Sequence, residues 1–474
     1  MKKNKKIAFI GAGSLGFCGG LTHDMFTVPE LQGVTISLTD IDKENLGLVE
    51  KMLKDVVSSN KLPAKIIATT DRRKALEGAD YIFNTTRIGG LEAFATDIEI
   101  PLKYGVDQCV GDTLCAGGIM YGQRGIAAMA DFCQDIREVA SPDALLLSYG
   151  NPNAMLTWYA NTFGGVECLG LCHGVQGGHN QIAEAIAILI NGNKKPDSKG
   201  YRKVTPADVD IVCAGINHQT WYVQAMFEGE DWAHRLLEGF ERHPVYSKTE
   251  KVRIDVMKNF GYYSTESNGH LSEYVSWYRK RSKAETRKWI AFDSWISGET
   301  GGYLRVCREG RQGYKKIIPK LTKQFSNLDP STRSFEHGAR IIEALETGRV
   351  FRGHFNLPNW ERTITNLPED AIVEVPAYVD GNGISVPSVG DLPPGCAAVC
   401  SQSIGVQRLA VLAALDGDVE LLKQAMLLDP LTSAVCTPPE ISRMTDEMLV
   451  AQAKWLPQYR SAIPAAKKRL AKKA

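Results

Sequence analysis

The sequence has no excess of charge of either sign: 55 Lys and Arg stand against 54 Asp and Glu, a formal net charge of +1. That balance gives no electrostatic reason for a nucleic acid or an anionic membrane as partner. Long apolar runs are missing as well, since nothing reaches the roughly 20 residues of a bilayer span. The basic start "MKKNKKIAFIGAG" has only a short apolar stretch before its glycines and reads as a strand, not as an export signal. The eleven cysteines are scattered without zinc-finger spacing, and the pair Cys396 and Cys400 is incidental. Scattered thiols without an export signal predict a reducing, cytoplasmic setting. No internal repeat and no low-complexity linker is visible, and the basic end "AAKKRLAKKA" reads as a solvated helical tail.

What is there is an ordinary globular composition, 44% hydrophobic and 23% charged over 474 residues, enough for a large core and more than one domain. Over about the first 190 residues, short apolar runs ("KIAFIG", "GVTISLTD", "AKIIATT", "ADYIFNTT", "DALLLSYG", "VECLGLC") alternate with helical segments such as "KENLGLVEKMLKDVVSS". Continuous apolar strands joined by crossover helices indicate a parallel sheet covered on both faces. The expected fold is therefore α/β: a Rossmann-like, doubly wound parallel sheet of the lactate/malate dehydrogenase type over residues 1–195. A C-terminal α+β domain over residues 196–474 packs tightly on it. That second part offers one more strand, "DVDIVCAG", aromatic-rich segments, a Pro/Gly-rich region with strand character, and helices at its end.

"IAFIGAGSLGF" is a strand followed by Gly11, Gly13 and Gly16 in GxGxxG spacing, with Ser14 inside the turn, and then a helix. The spacing predicts a tight turn, close approach to a pyrophosphate, and a helix N-terminus facing the anion. The second strand ends in Asp40, an acid that can hold both ribose hydroxyls and would repel a 2'-phosphate, so NAD is favoured over NADP.

In a doubly wound sheet, ligands bind beyond the carboxyl ends of the strands. At those ends stand Arg87 with Gly89 and Gly90, Asn151-Pro152-Asn153, Cys172-His173, and Asn217-His218. Cys172 and His218 suit a transition metal with positions left open for substrate. From the residues alone, a buried strand-end thiol and a hydrogen-bonding histidine remain the other reading.

Taken together, "FIGAGSLGF", "IPLKYGV", "GDTLCAGGIMYGQR", "GNPNAM", "LCHGVQG" and "AGINHQTWY" resemble glycoside hydrolase family 4, in that family's order and over nearly the whole chain, including "NLPEDAIVEVPAYVDGNGI". That family is an exception to the two-carboxylate scheme of most glycosidases. The resemblance implies a redox route, in which NAD takes hydride from C3 of the sugar and a base removes the acidified C2 proton. The C1 substituent then leaves, water adds, and the ketone is reduced back, with a divalent ion, usually Mn2+, as Lewis acid.

Carried over residue by residue, the resemblance implies metal ligands at Cys172 and His218 and a substrate contact at Asn151. It further implies an acid at Asp112 that raises the basicity of a catalytic tyrosine, and that tyrosine at Tyr262, with Tyr263 as the alternative. His173 either protonates the leaving oxygen or orients the sugar. The phosphosugar branch has an acidic residue or Asn where His173 stands and an Arg where Phe94 stands, so an unphosphorylated glycoside is expected. The motifs are most similar to those of α-galactosidases, while Gly174 leaves an α-glucoside or α-glucuronide open. A homodimer or homotetramer is implied. Two rivals are a 2-hydroxyacid dehydrogenase, for which no catalytic His with a carboxylate partner and Arg clamp is found, and a noncatalytic nucleotide sensor, which would not need so many polar groups at one sheet edge.

Overall fold

The computed structural model describes residues 4–195 and 197–472. Six strands, β1 (Lys6–Ile10), β2 (Thr35–Thr39), β3 (Lys65–Thr69), β4 (Tyr81–Asn84), β5 (Leu145–Ser148) and β6 (Cys168–Gly170), pair in parallel in the order β6-β5-β4-β1-β2-β3. The inner strands β4 and β5 are buried along their whole length, and β1 is buried from its second residue onward. Apolar runs, not alternation, are what a strand covered on both faces requires. Phe9 and Phe83 lie opposite each other in register and stack at 4.7 Å. The helix Lys43–Ser59 begins where the Asp42 carboxylate accepts from the Glu44 and Asn45 amides at 3.0 and 3.1 Å, and it buries Leu46, Val49, Leu53 and Val56 on one face. Strand order reverses between β1 and β4, which opens a crevice beyond their carboxyl ends.

Seven further strands follow: β7 (Asp210–Ile216), β8 (Gln219–Phe227), β9 (Glu230–Asp231), β10 (Tyr263–Ser264), β11 (Phe351–Pro358), β12 (Ile372–Asp380) and β13 (Gly383–Ser385). They are antiparallel and, instead of forming a separate layer, prolong the same sheet as β10-β8-β7-β12-β11-β6, with β9 on β8 and β13 on β12. The join is Asn356 of β11 opposite Gly170 of β6. A Cβ at position 170 would lie 2.8 Å from that of Asn356, so a glycine permits the approach. β11 has no counterpart in the sequence reading because its buried positions include His354 and Asn356, which break the apolar run.

The helix Pro394–Asp416 is long and apolar enough to cross a bilayer, and half of that stretch is buried inside the protein, where it packs on the helix Cys115–Val139. It ends at Gly417 in the left-handed region, after which Asp418 caps Val419–Leu428. The basic tail forms the helix Ile463–Ala471, with Arg469 paired to Asp446 at 2.7 Å; Lys473 and Ala474 lie outside the described residues.

Candidate active site

The glycine turn closes as its spacing requires. Gly11 has φ of +84°, and a Cβ there would meet Thr85 and Thr86, which follow β4, at about 3.0 Å. The Gly13 amide donates to Asp40 Oδ2 at 2.7 Å, and the Asp42 amide donates to Asp40 Oδ1 at 2.8 Å. Ser14 precedes the helix Leu15–Phe26 without capping it through its side chain, and no acid stands in the first helical turn. The Tyr314 phenol donates to the Gly13 carbonyl and takes the Leu15 amide, so it is the amides after Leu15 that keep their anion-binding capacity. The Cβ side of Gly16 faces open space. A dinucleotide phosphate fits this turn, and Asp40 keeps free lone pairs for hydroxyls.

The second cluster forms at the ends of β6 and β7. Cys172 follows β6, and His218 sits in the tight turn between β7 and β8 with φ of +65°. Cys172 Sγ and His218 Nε2 are 3.3 Å apart, and Glu266 Oε1 is 3.6 Å from the same sulfur. Thr113 Oγ1 donates to Asp112 Oδ1 at 2.9 Å, so its contact with His218 Nδ1 at 2.8 Å is one in which the imidazole donates. That relay turns the Nε2 lone pair toward Cys172 and Glu266, the tautomer a metal ligand needs. Asn151 donates to the other Asp112 oxygen at 2.9 Å. Cys172, His218, Asp112 and Asn151 are thus brought together. Sulfur, imidazole and carboxylate form a donor set suited to a first-row divalent ion.

Arg87 lies 3.9 Å from Asp112, its guanidinium 4.5 Å above the Phe94 ring and near Tyr121 and Tyr303. Phe94 therefore serves as the floor of an aromatic seat for Arg87. His173 is half-exposed at the rim, with Nδ1 3.3 Å from Glu336. That contact raises its pKa above the ordinary imidazole value against the opposing effect of burial.

Tyr262 is half-buried against the main core, and no hydrogen bond or ring contact joins it to Cys172, His218 or Asp112. Tyr263 is committed elsewhere, stacked on Phe240 at 3.9 Å with its phenol donating to Gln181 at 2.9 Å. The reason is the register of β10, which pairs Tyr263 with Tyr222 and Ser264 with Trp221 and spends these residues on the sheet edge. The groups from this region that do arrive come slightly later. Glu266 reaches Cys172, and the short helix Asn268–Tyr274 brings the His270 ring to 5.2 Å from that of His218 and the Tyr274 phenol to 3.5 Å from His218 Nδ1. A sequence signal for them exists, because His270 and Tyr274 stand four apart, on one helix face.

Electrostatics separate these groups. Burial raises the Cys172 thiol well above its ordinary value, and the charges of Glu266 and Glu374 add to that. Burial also raises the Tyr274 phenol, with Asp112 the next cause. Burial pushes His270 down to about 4, so it is neutral near pH 7. Burial alone would raise Glu266, but His218, His270 and His173 hold its carboxyl below the ordinary range. Behind the cluster, the Glu273 carboxylate accepts from the amides of Cys109, Val110 and Gly111 at 2.5, 3.0 and 2.9 Å and so fixes the loop that presents Asp112 and Thr113.

The profile described as "Family 4 glycosyl hydrolase" matches residues 6–188, and that of its C-terminal domain matches residues 213–432. An α-galactosidase of Rhizobium meliloti (strain 1021) is 55% identical over 469 residues, covering 98% of this chain and 92% of the relative. An α-galactosidase of Bacillus subtilis (strain 168) is 32% identical, covering 96% and 100%. Among solved structures, a 6-phospho-α-glucosidase from gut microorganisms in complex with NAD and Mn2+ shares the fold with a TM-score of 0.75 at 21% identity, covering 96% and 100%. With both profiles matched along most of its length, and a polar cluster at the carboxyl edge of a Rossmann-like sheet, the chain belongs to glycosyl hydrolase family 4.

Proposed function

We propose that this protein hydrolyses unphosphorylated α-galactosides, with NAD at the glycine turn and a divalent ion, Mn2+ foremost, at Cys172 and His218. The observation that carries the reading is the 3.3 Å meeting of Cys172 and His218 with the Asp112–Thr113 relay behind it, in a chain 55% identical to an α-galactosidase. Bound, NAD supplies a reversible hydride acceptor for a sugar carbon, and the cation supplies Lewis acidity. The chain's own residues do the rest. Thr113 and Asp112 hold the His218 tautomer, and Asn151, tied to Asp112, orients sugar hydroxyls. As C2 base we place Tyr274 beside Tyr262: its phenol lies 3.5 Å from His218 Nδ1, the Asp112 charge increases its basicity, and a bound cation would have to stabilise its phenolate for it to act near pH 7. His173, raised by Glu336 and half-exposed, stands where a leaving oxygen can take a proton.

The alternative is an α-glucoside or α-glucuronide cleaved by the same route, to which the resemblance at Gly174 points, although the Glu266 carboxylate fills the space beside that glycine. A cytoplasmic homodimer or homotetramer fits the eleven free cysteines and the family; light scattering on reduced protein tests the assembly. The decisive experiment is a panel of para-nitrophenyl α- and β-glycosides with and without Mn2+, NAD and a thiol reductant. Cleavage of the α-galactoside that needs all three and accumulates no NADH is expected, slowed by deuterium at C2. Steady NADH production from a hydroxy acid, with no glycoside cleaved, would overturn the reading.

A further inference from the structure

We propose that Glu266 is a third protein ligand to the cation held by Cys172 and His218, and that position 174 is glycine because the Glu266 carboxylate occupies the space where a side chain would start. The inference rests on the reading of Cys172 and His218 as a cation seat. Two observations carry it independently.

The first is donor geometry. Separations of 3.3 Å from sulfur to imidazole and 3.6 Å from sulfur to carboxylate are those of neighbouring donors around one ion with bonds of about 2.0 to 2.3 Å. All three donor atoms lie within 4.8 Å of one another. Among the described residues Glu266 has no ion pair, and the Cys172 thiol is its one hydrogen-bond partner. A cation between these donors would give this partly buried carboxylate a direct charge partner, which the Cys172 thiol is not.

The second is the space at Gly174. A Cβ there would fall 1.6 Å from Glu266 Oε1 and 2.6 Å from its Cδ. Gly174 opens the helix Gly174–Asn191 and does not adopt a positive φ, so its backbone is open to any L residue. What excludes a side chain is the carboxylate alone. A side chain at 174 and Glu266 at the cluster are mutually exclusive, so residue 174 sets whether the ion has two or three protein ligands, and with that how many positions remain for sugar oxygens.

The test is titration of the reduced, full-length protein with Mn2+, read by the EPR signal of the free ion, so that no turnover is needed. Cys172→Ser, Glu266→Gln, Gly174→Ala, Gly174→Ser and the double variant Gly174→Ser/Glu266→Gln are compared, with thermal melts as a check of folding. Glu266→Gln is expected to weaken binding at least about tenfold. Gly174→Ser should weaken it to a similar extent, and the double variant should bind no more weakly than Gly174→Ser alone. Should Glu266→Gln bind within about twofold of wild type while Cys172→Ser loses the ion, the third ligand is refuted and the seat stands. Retained affinity in Cys172→Ser would refute the seat itself. Wild-type affinity in folded Gly174→Ala, or additive losses in the double variant, would refute the role of residue 174.

Discussion

The parallel and antiparallel halves of the sheet both deliver groups to the site, by different means. In the parallel half, the turn after β1 and the residues after β4, β5 and β6 emerge where strand topology sends them. In the antiparallel half, a tight turn presents His218, and a loop with a short helix presents Glu266, His270 and Tyr274. Backbone topology places the first set, whereas buried polar anchors such as Glu273 place the second.

The contrast can be broken at several points. The largest effect is expected for Tyr274→Phe, which should lower kcat by about 10²- to 10⁴-fold while Mn2+ and NAD binding stay close to wild type. A fully active variant would return the base to another group. Next is Glu273→Ala, which leaves three buried amides unpaired and should cost about 3 to 5 kcal/mol in urea unfolding. A loss below about 1 kcal/mol would mean that the Asp112 loop holds itself.

Glu374, on β12 behind the cluster, sharpens the comparison through pH. Burial, and after it the charge of Glu266, push Glu374 up to about 8. The folded protein therefore keeps a proton that the unfolded chain gives up near pH 4.5, so the stabilisation is complete below that pH and is lost as pH rises through 8. In metal-free protein, the urea midpoint of wild type should fall between pH 5 and 8, and that of Glu374→Gln should fall less. Equal slopes would count against this assignment.

In the parallel half the expected effects are smaller. Asp40→Ala should raise the NAD concentration needed for half-maximal rate about tenfold with kcat unchanged, since the lost interaction with ribose is worth on the order of 1.4 kcal/mol. With Tyr274 as base, Tyr262→Phe should leave kcat within about twofold of wild type. A large loss there would make Tyr262 the base.

Much of the fold was legible because the parallel strands are buried on both faces and so read as unbroken apolar runs. The same logic made the strand ends legible as a group, and Cys172, His218 and Asn151 do meet, joined by Asp112, which the family resemblance alone implied. Legibility failed where polar residues are buried. β11 hides His354 and Asn356 in a strand, and the continuation of the sheet went unread with it. Tyr262 rests on the family resemblance alone, whereas strand pairing at β10, a long-range choice, decides which side chains of "YYSTESNGHLSEY" turn inward. Glu266, His270 and Tyr274 carry their spacing in the sequence, but only the turn after Ser264 gives that spacing a direction.

The hydrogen-bonded seam at Gly170 and Asn356 has a mechanical consequence. Because one sheet runs through both halves of the described residues, a clamp that swung one half against the other would have to break the pairing at this seam. Admission and release that leave the seam intact fall to the peripheral loops, which can be re-tailored to new glycosides without disturbing the spacing of the fixed stations underneath.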